Sequence, residues 1–411
     1  MEKNSITMEE QPVTVASSEE KAVSGADPDP NPIRTKKVIS IEGFMAIVFV
    51  LLMFVPIGAI MGFGNMLQTL FNNAHVLLID TCFYLMAVAV VIGALSSVLT
   101  EFGVIALANK ALSPLMKPLF GMPGATSVAI FSAFLSDNPA VLTLAEDKRY
   151  RLYFKKYQLA GLTNLGTAFG MGLIVIITLS TKTVIKGNAT LAVIIGLVGA
   201  VVGSIVATRL MLIKSKKRFG KDIPAEAEAF SGFDMATQRQ IREGGVVQRV
   251  LDSILDGGAS GVKIGLAIIP GVLIIANMVM LLTNGASVAG GYTGSAGEGV
   301  GLIPKIGEFL RPVMEFLFGF TNSSAISVPL TALGSAGAAI GLVGDGVYTA
   351  TELAVFTSMC MFWSGYLSTH VSMMDNMGFR EFTTTSILCH TLGGIVAGFV
   401  AHWLYVLIAL I

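Results

Sequence analysis

Long stretches without Asp, Glu, Lys or Arg dominate the chain: 43–79, 81–100, 157–181, 187–208, 264–297, 316–344, 353–374 and 382–411, with 118–145 broken only by Asp137. A bilayer core about 30 Å thick takes about 20 apolar residues in helical form. Most of these stretches therefore predict transmembrane helices. Two differ in texture. Ser136-Asp137-Asn138-Pro139 interrupts 118–145, and Gly334-Ser335-Ala336-Gly337 interrupts 316–344. A spanning helix does not cross such sequences without losing backbone hydrogen bonds. Both stretches read as hairpins of half-helices.

Basic residues set the topology, because they stay on the cytoplasmic side. Arg34, Lys36 and Lys37 precede the first span and predict a cytoplasmic N-terminus. Residues 146–156 hold five basic side chains and 209–221 hold six. Both clusters fall inside only if 118–145 is re-entrant. The span near 44–64 then goes out and the span near 81–100 returns. Spans 157–181 and 187–208 go out and back. Residues 214–247 form a polar cytoplasmic linker. Val247, Val250, Leu251, Ile254 and Leu255 make an amphipathic stripe expected at the membrane surface. The span near 262–283 leads to a Gly- and Ser-rich outer loop, 284–301. Spans 352–373 and 384–408 follow the second hairpin.

The chain also repeats itself. LSPLMKPLFG at 112–121 aligns without a gap with LRPVMEFLFG at 310–319, an offset of 198. Gly199, Val206, Ala207 and Leu210 recur as Gly393, Val400, Ala401 and Leu404, an offset of 194. Each unit has an odd number of full crossings, so two successive copies point in opposite directions. A parallel repeat of kinked spans would place the basic clusters in the wrong compartment. Inverted repeats with interrupted helices are the architecture of secondary transporters.

Composition narrows the classes. Apolar residues make up 53% and charged ones 13%, with 27 basic and 27 acidic side chains; a soluble domain carries about 25% charged residues. Nothing suggests a nucleic-acid partner. Cys82, Cys360 and Cys389 lack CxxC spacing. Neither a Walker A sequence nor a nucleophile–base constellation appears, so no enzyme activity is expected. Residues 1–38 are expected to be a disordered cytoplasmic tail, and they lack the pattern of a signal peptide.

Candidate site residues are the polar ones in the breaks. Asp137 is an intramembrane carboxylate, a functional candidate by default, although it and Asn138 could simply cap a half-helix. Thr163, Asn164 and Thr167 share a face after hairpin 1; Asn164 faces either a ligand or a partner helix. Thr126 and Ser127 open hairpin 1, and Asn322, Ser323 and Ser324 open hairpin 2. Ser335 sits at the second break. Ser364, Ser368, His370, Asp375 and Asn376 run through the span after it. Asp137, Thr167, His370, Asp375 and Asn376 are the ion-coupling candidates, and the rest are candidates for the solute. A divalent-metal reading would join His370 and Asp375 to Met373, Met374 or Cys360. Gly199-Ala-Val-Val-Gly203 is a helix-packing GxxxG.

The stretch 115–124, LMKPLFGMPG, and its second copy resemble the Gate, or nucleoside-recognition domain, family. Similar groups include concentrative nucleoside transporters, spore-maturation membrane proteins and the membrane part of ferrous-iron transporters. The resemblance covers about residues 75–411. It implies that 122–139 with 161–172, and 320–337 with 362–376, form the solute and Na⁺ sites. The family's acidic and Gln hairpin residues have no counterparts in MPGATS at 122–127 or TNSS at 321–324. The expected whole is an all-α polytopic membrane protein with about seven full spans and two hairpins. Its expected parts are an extra helix and outer loop over 39–78, Gate repeat 1 over 79–213, a linker with the amphipathic helix over 214–256, and an inverted Gate repeat 2 over 257–411. The expected function is secondary transport of a small polar solute coupled to Na⁺ or H⁺, with no other cofactor, in a bacterial inner membrane. The resemblance implies a homo-oligomer or a second Gate protein as partner, the latter making the chain a scaffold or subunit.

Overall fold

The computed structural model describes residues 38–146, 148–226, 238, 241–287 and 291–410. The expected N-terminal tail and parts of the linker and outer loop lie outside them. Among the described residues the protein is helical, with one isolated bridge between Lys155 and Pro224. The chain divides after Phe54 into two compact units. Helix α1 (Ile41–Met61) carries most of the described part of the first; everything below concerns the second.

The second unit is two copies of one plan. Copy one begins with α2 (Phe63–Glu101), continues through α3 (Val104–Phe120) and enters hairpin 1, α4 (Thr126–Leu135) and α5 (Pro139–Glu146). A broken helix follows, α6 (Lys156–Gly166) and α7 (Gly172–Ser180), and then α8 (Ala189–Phe219). Copy two begins with α9 (Val246–Thr283) and passes through α10 (Leu302–Phe309) and α11 (Arg311–Phe318). Hairpin 2 is α12 (Ser327–Ala332) and α13 (Ala336–Gly341). The second broken helix is α14 (Ala350–Phe362) and α15 (Tyr366–Asn376), and α16 (Thr383–Ala409) closes the copy.

Left-handed residues punctuate both copies in register. Gly103 (φ 82°) and Gly301 (φ 62°) start α3 and α10, and Gly121 (φ 73°) and Gly319 (φ 64°) end α3 and α11. Only glycine adopts this conformation freely. Met171 (φ 52°) and Gly365 (φ 58°) mark the two helix breaks. A π turn interrupts each long first helix, at Leu77–Cys82 and Val272–Ala276.

Equivalent helices pack against each other antiparallel. Gly93 of α2 meets Gly257 of α9, Ala89 meets Gly261, and Met86 meets Gly265. Likewise Gly199 of α8 meets Ala397 and Ala401 of α16, and Gly203 meets Gly393. As one helix ascends its partner descends, which is what inverted copies require. Small residues permit this: a Cβ on Gly199 would stand 2.5 Å from the Ala397 carbonyl oxygen, and one on Gly257 would stand 2.6 Å from the Ser97 Cβ. Backbones approach this closely where lipid supplies no other force than packing.

Six helices among the described residues are long and apolar enough to cross a membrane: Ile41–Met61, Phe63–Glu101, Lys156–Ser180, Ala189–Phe219, Val246–Thr283 and Arg380–Ala409. The seventh expected span is the broken α14–α15, split into 13 and 11 residues. Two expectations need correction. Residues 63–78, placed in an outer loop, are helix. Their polar side chains grip the outer loop instead: Asn65 donates to the Tyr292 carbonyl (3.0 Å), Asn72 to that of Gly294 (2.8 Å), and the Gly297 N–H donates to Asn73 (2.6 Å). The amphipathic stripe at 247–255 is not a separate surface helix. It runs straight into the next span as α9, because Gly257, Gly261 and Gly265 pack on α2 and do not break the helix.

Candidate functional site

Both hairpin tips and both helix breaks meet around one cavity of about 190 Å³. Hairpin 1 contributes Asp137, Asn138 and Pro139, and the break after it contributes Met171. Hairpin 2 contributes Gly334, Ser335 and Ala336, and its break contributes Ser364, Gly365, Ser368 and Thr369. Ala267, Ile268 and Gly271 of α9 complete the wall.

Local chemistry explains each tip. Pro139 starts α5, where a missing N–H costs nothing. Ser335 caps α13, its hydroxyl accepting from the Ala338 N–H at 3.2 Å. The tips then tie to a break. The Asn138 amide donates to the Ser364 carbonyl at 2.5 Å, a link from copy one to copy two. The Gly365 N–H donates to the Ala332 carbonyl at 3.0 Å, a link within copy two. The Oδ1 atoms of Asp137 and Asn138 are buried and have no hydrogen-bond partner. Buried oxygens of this kind are costly unless something donates to them or coordinates them.

The other candidates separate into groups. Asn322 and Ser324 line a different cavity of about 220 Å³ with Asn284 and Tyr348. Ser323 approaches Gly307 through its backbone. The Ser127 hydroxyl donates to the Gly124 carbonyl at 2.9 Å, and the hydroxyls of Thr126 and Thr163 are buried without partners. Asn164 is engaged between helices: its amide donates to the Ser386 carbonyl (2.8 Å) and accepts from the Ser386 hydroxyl (2.9 Å). The Thr167 hydroxyl donates to the Thr163 carbonyl at 2.7 Å. His370 is fully buried, its ring centroid 4.5 Å from that of His390 at a tilt of 54°, with Nδ1 2.9 Å from the Tyr366 carbonyl. Asp375 and Asn376 are exposed at the end of α15, where Asp375 pairs with Arg380 at 3.6 Å. His370 and Asp375, the expected core of a metal set, therefore point to different surroundings.

Sequence reasoning missed a pair of residues that hold the hairpins. Gln158 and Glu352 occupy the third positions of α6 and α14 and each accepts from the backbone N–H before its helix, of Lys155 at 3.0 Å and of Thr349 at 2.8 Å; Glu352 and Thr349 close a full capping box. Gln158 also donates to the Gly121 carbonyl at 3.0 Å. Glu352 accepts from the backbone N–H groups of Thr321 (2.9 Å), Asn322 (3.1 Å) and Thr349 (2.8 Å). Their spacing equals the second repeat offset, the signal that could have found them. Between the spans, Glu298 in the loop after α9 is fully buried. Burial opposes its charge, but donors from Ser287, Thr293 and Gly294 outweigh that and hold the carboxyl at about 2.

Opposed hairpins around a polar cavity define a polytopic helical membrane protein built from two inverted copies. Residues 82–201, from the middle of α2 into α8, match the family model described as Gate: Nucleoside recognition. Among solved structures, CNTnw in an inward-facing substrate-bound state aligns at 15% identity over 77% of this chain and 73% of that one, with a TM-score of 0.46. A doubly substituted CNTnw in an outward-facing state aligns at 14% over 78% and 75%, with a TM-score of 0.47. A singly substituted CNTnw in the intermediate 2 state aligns at 14% over 88% and 83%, at 0.46. No curated protein sequence matches the chain.

Proposed function

We propose that the protein is a secondary active transporter of a small polar solute, nucleoside-like or another metabolite, coupled to Na⁺ or H⁺. One observation carries this reading: four interrupted elements from two inverted copies converge on a cavity holding the unpartnered oxygens of Asp137 and Asn138. Free oxygens beside unwound backbone suit a coupling cation, and the Ser335, Ser364 and Ser368 hydroxyls suit a neutral polar solute. We read residues 257–411 as a second, inverted Gate unit, with the N-terminus cytoplasmic and the chain in a bacterial inner membrane. Uptake into proteoliposomes with a solute panel, under Na⁺ and pH gradients in turn, tests the proposal. Saturable flux that needs one gradient is expected. Absence of flux for every solute would reject it and favour a Gate-type subunit working with a second membrane protein.

A further inference from the structure

A second cavity, of about 620 Å³, lies between α2, α3, α9 and hairpin 1. Its volume falls in the range of small-molecule sites, about 300–1,000 Å³. The polar groups that face it include Ser96, Asn109, Ser132 and Ser136. Ser96 is only 7% exposed, and its hydroxyl has no partner. The Asn109 Oδ1 atom is also buried and unpartnered. The inner end of the cavity reaches Ser136, the residue before Asp137 of the central cavity.

The other end is held by an ion cluster. Glu101, the buried last residue of α2, accepts from Arg242 at 3.0 Å and from Arg249 at 2.6 Å. Arg242, which lines the cavity, also bonds Asp256 at 3.0 Å and the Ser253 hydroxyl at 3.0 Å. Two carboxylates thus neutralise Arg242, and among the described lining residues only Arg242 and Asp256 are charged. The cavity offers hydrogen bonds without net charge. It has an unmet acceptor at Asn109 and an unmet hydroxyl at Ser96, so an occupant must donate as well as accept.

We propose that this cavity is a second solute site, taking a neutral molecule rich in hydroxyl or amide groups, and that Arg242 closes its mouth. Its place on the solute's route rests on the transport reading; the binding itself does not.

The test uses the full chain in lipid nanodiscs, where both faces are open to reagent. Ser132→Cys is modified with a trimethylammonium methanethiosulfonate reagent; the native cysteines are buried and do not line the cavity. Uridine or ribose should slow this modification about threefold or more, while uridine monophosphate and choline should not, and Arg242→Gln should speed it about tenfold. Arg242→Lys keeps the charge but loses the planar fork, so an intermediate rise is expected and serves if the Gln variant unfolds in a thermal scan. Equal rates with and without both neutral probes overturn the proposal. So does an unchanged rate in a folded Arg242 variant, or protection abolished by Asp137→Asn, which would put the probe in the central cavity. Protection that persists where flux is absent keeps this site and rejects the transport reading alone.

Discussion

In hairpin 1 the turn between half-helices is Ser136-Asp137-Asn138, followed by Pro139; in hairpin 2 it is Leu333-Gly334-Ser335, followed by Ala336. The surroundings match closely. Both hairpins start after a left-handed glycine, both are anchored by the third residue of the next helix, and both face a helix broken at a left-handed residue. The tips differ. Hairpin 1 brings a carboxylate and an amide, each with an unpartnered oxygen, and reaches across to copy two through Ser364. Hairpin 2 brings small residues and ties to its own copy through Gly365. The two copies thus share a shape, while the carboxylate and the unpartnered amide oxygen stand in one tip.

Damage to the shared frame should produce the largest effect. A side chain on Gly203 would meet the Ala397 Cβ at 2.7 Å. Gly203→Val should cost about 3 kcal/mol and lower the thermal midpoint in detergent. A midpoint unchanged from the native chain would mean that the crossing is not tightly packed.

The tips should separate next. Asp137→Asn should cut gradient-driven uptake by about a hundredfold, and Ser335→Ala by less than about fivefold. Equal losses would dissolve the contrast between the hairpins. Asn138→Ala leaves the Ser364 carbonyl unpaired and should cost about 2 kcal/mol of stability by the same thermal measurement.

The anchors sharpen the comparison further. Glu352 accepts three backbone N–H groups, two of them from the start of hairpin 2, whereas Gln158 gives one bond to Gly121. Glu352→Gln should therefore destabilise by about 1–2 kcal/mol and Gln158→Ala by about 1 kcal/mol or less. The reverse order, read from midpoints, would mean that hairpin 1 leans harder on its anchor.

The smallest effect lies between the spans, in the loop gripped by α2. The Glu298 carboxyl is held at about 2 in the folded chain, below its ordinary value, so its charged form is the one folding favours. Its contribution is full above the unfolded value of about 4.5 and fades as pH falls toward about 2. Glu298→Gln should flatten the acid side of the stability curve. An identical slope in the variant would mean that other carboxylates carry it.

The spans were legible because lipid demands unbroken apolar sequence, and the hairpins because Ser136-Asp137-Asn138-Pro139 and Gly334-Ser335-Ala336-Gly337 gather several helix breakers at one point. Other features depended on partners distant in sequence. The stripe at 247–255 was expected to stand apart from the span near 262–283, and only Gly93, Ala89 and Met86 on another helix reveal Gly257, Gly261 and Gly265 as a packing face. Asn65, Asn72 and Asn73 looked like loop residues until the loop they hold was in view. Asn164 fitted either a ligand or a neighbouring helix, and Ser386, far along the chain, took it. Asp137 stood out because it is the one charged residue in the stretch 118–145.

The paired π turns date the molecule. A π turn holds one residue more than the α-helical turn it replaces, and both copies have it within the first helix, at Leu77–Cys82 and Val272–Ala276. The simplest genealogy has the extra residue arising once, in an ancestor that held a single copy. That ancestor would have had an odd number of crossings and no internal partner for its small-residue faces. It would have had to pair with an oppositely inserted twin, as α2 pairs with α9 and α8 with α16 in the present chain.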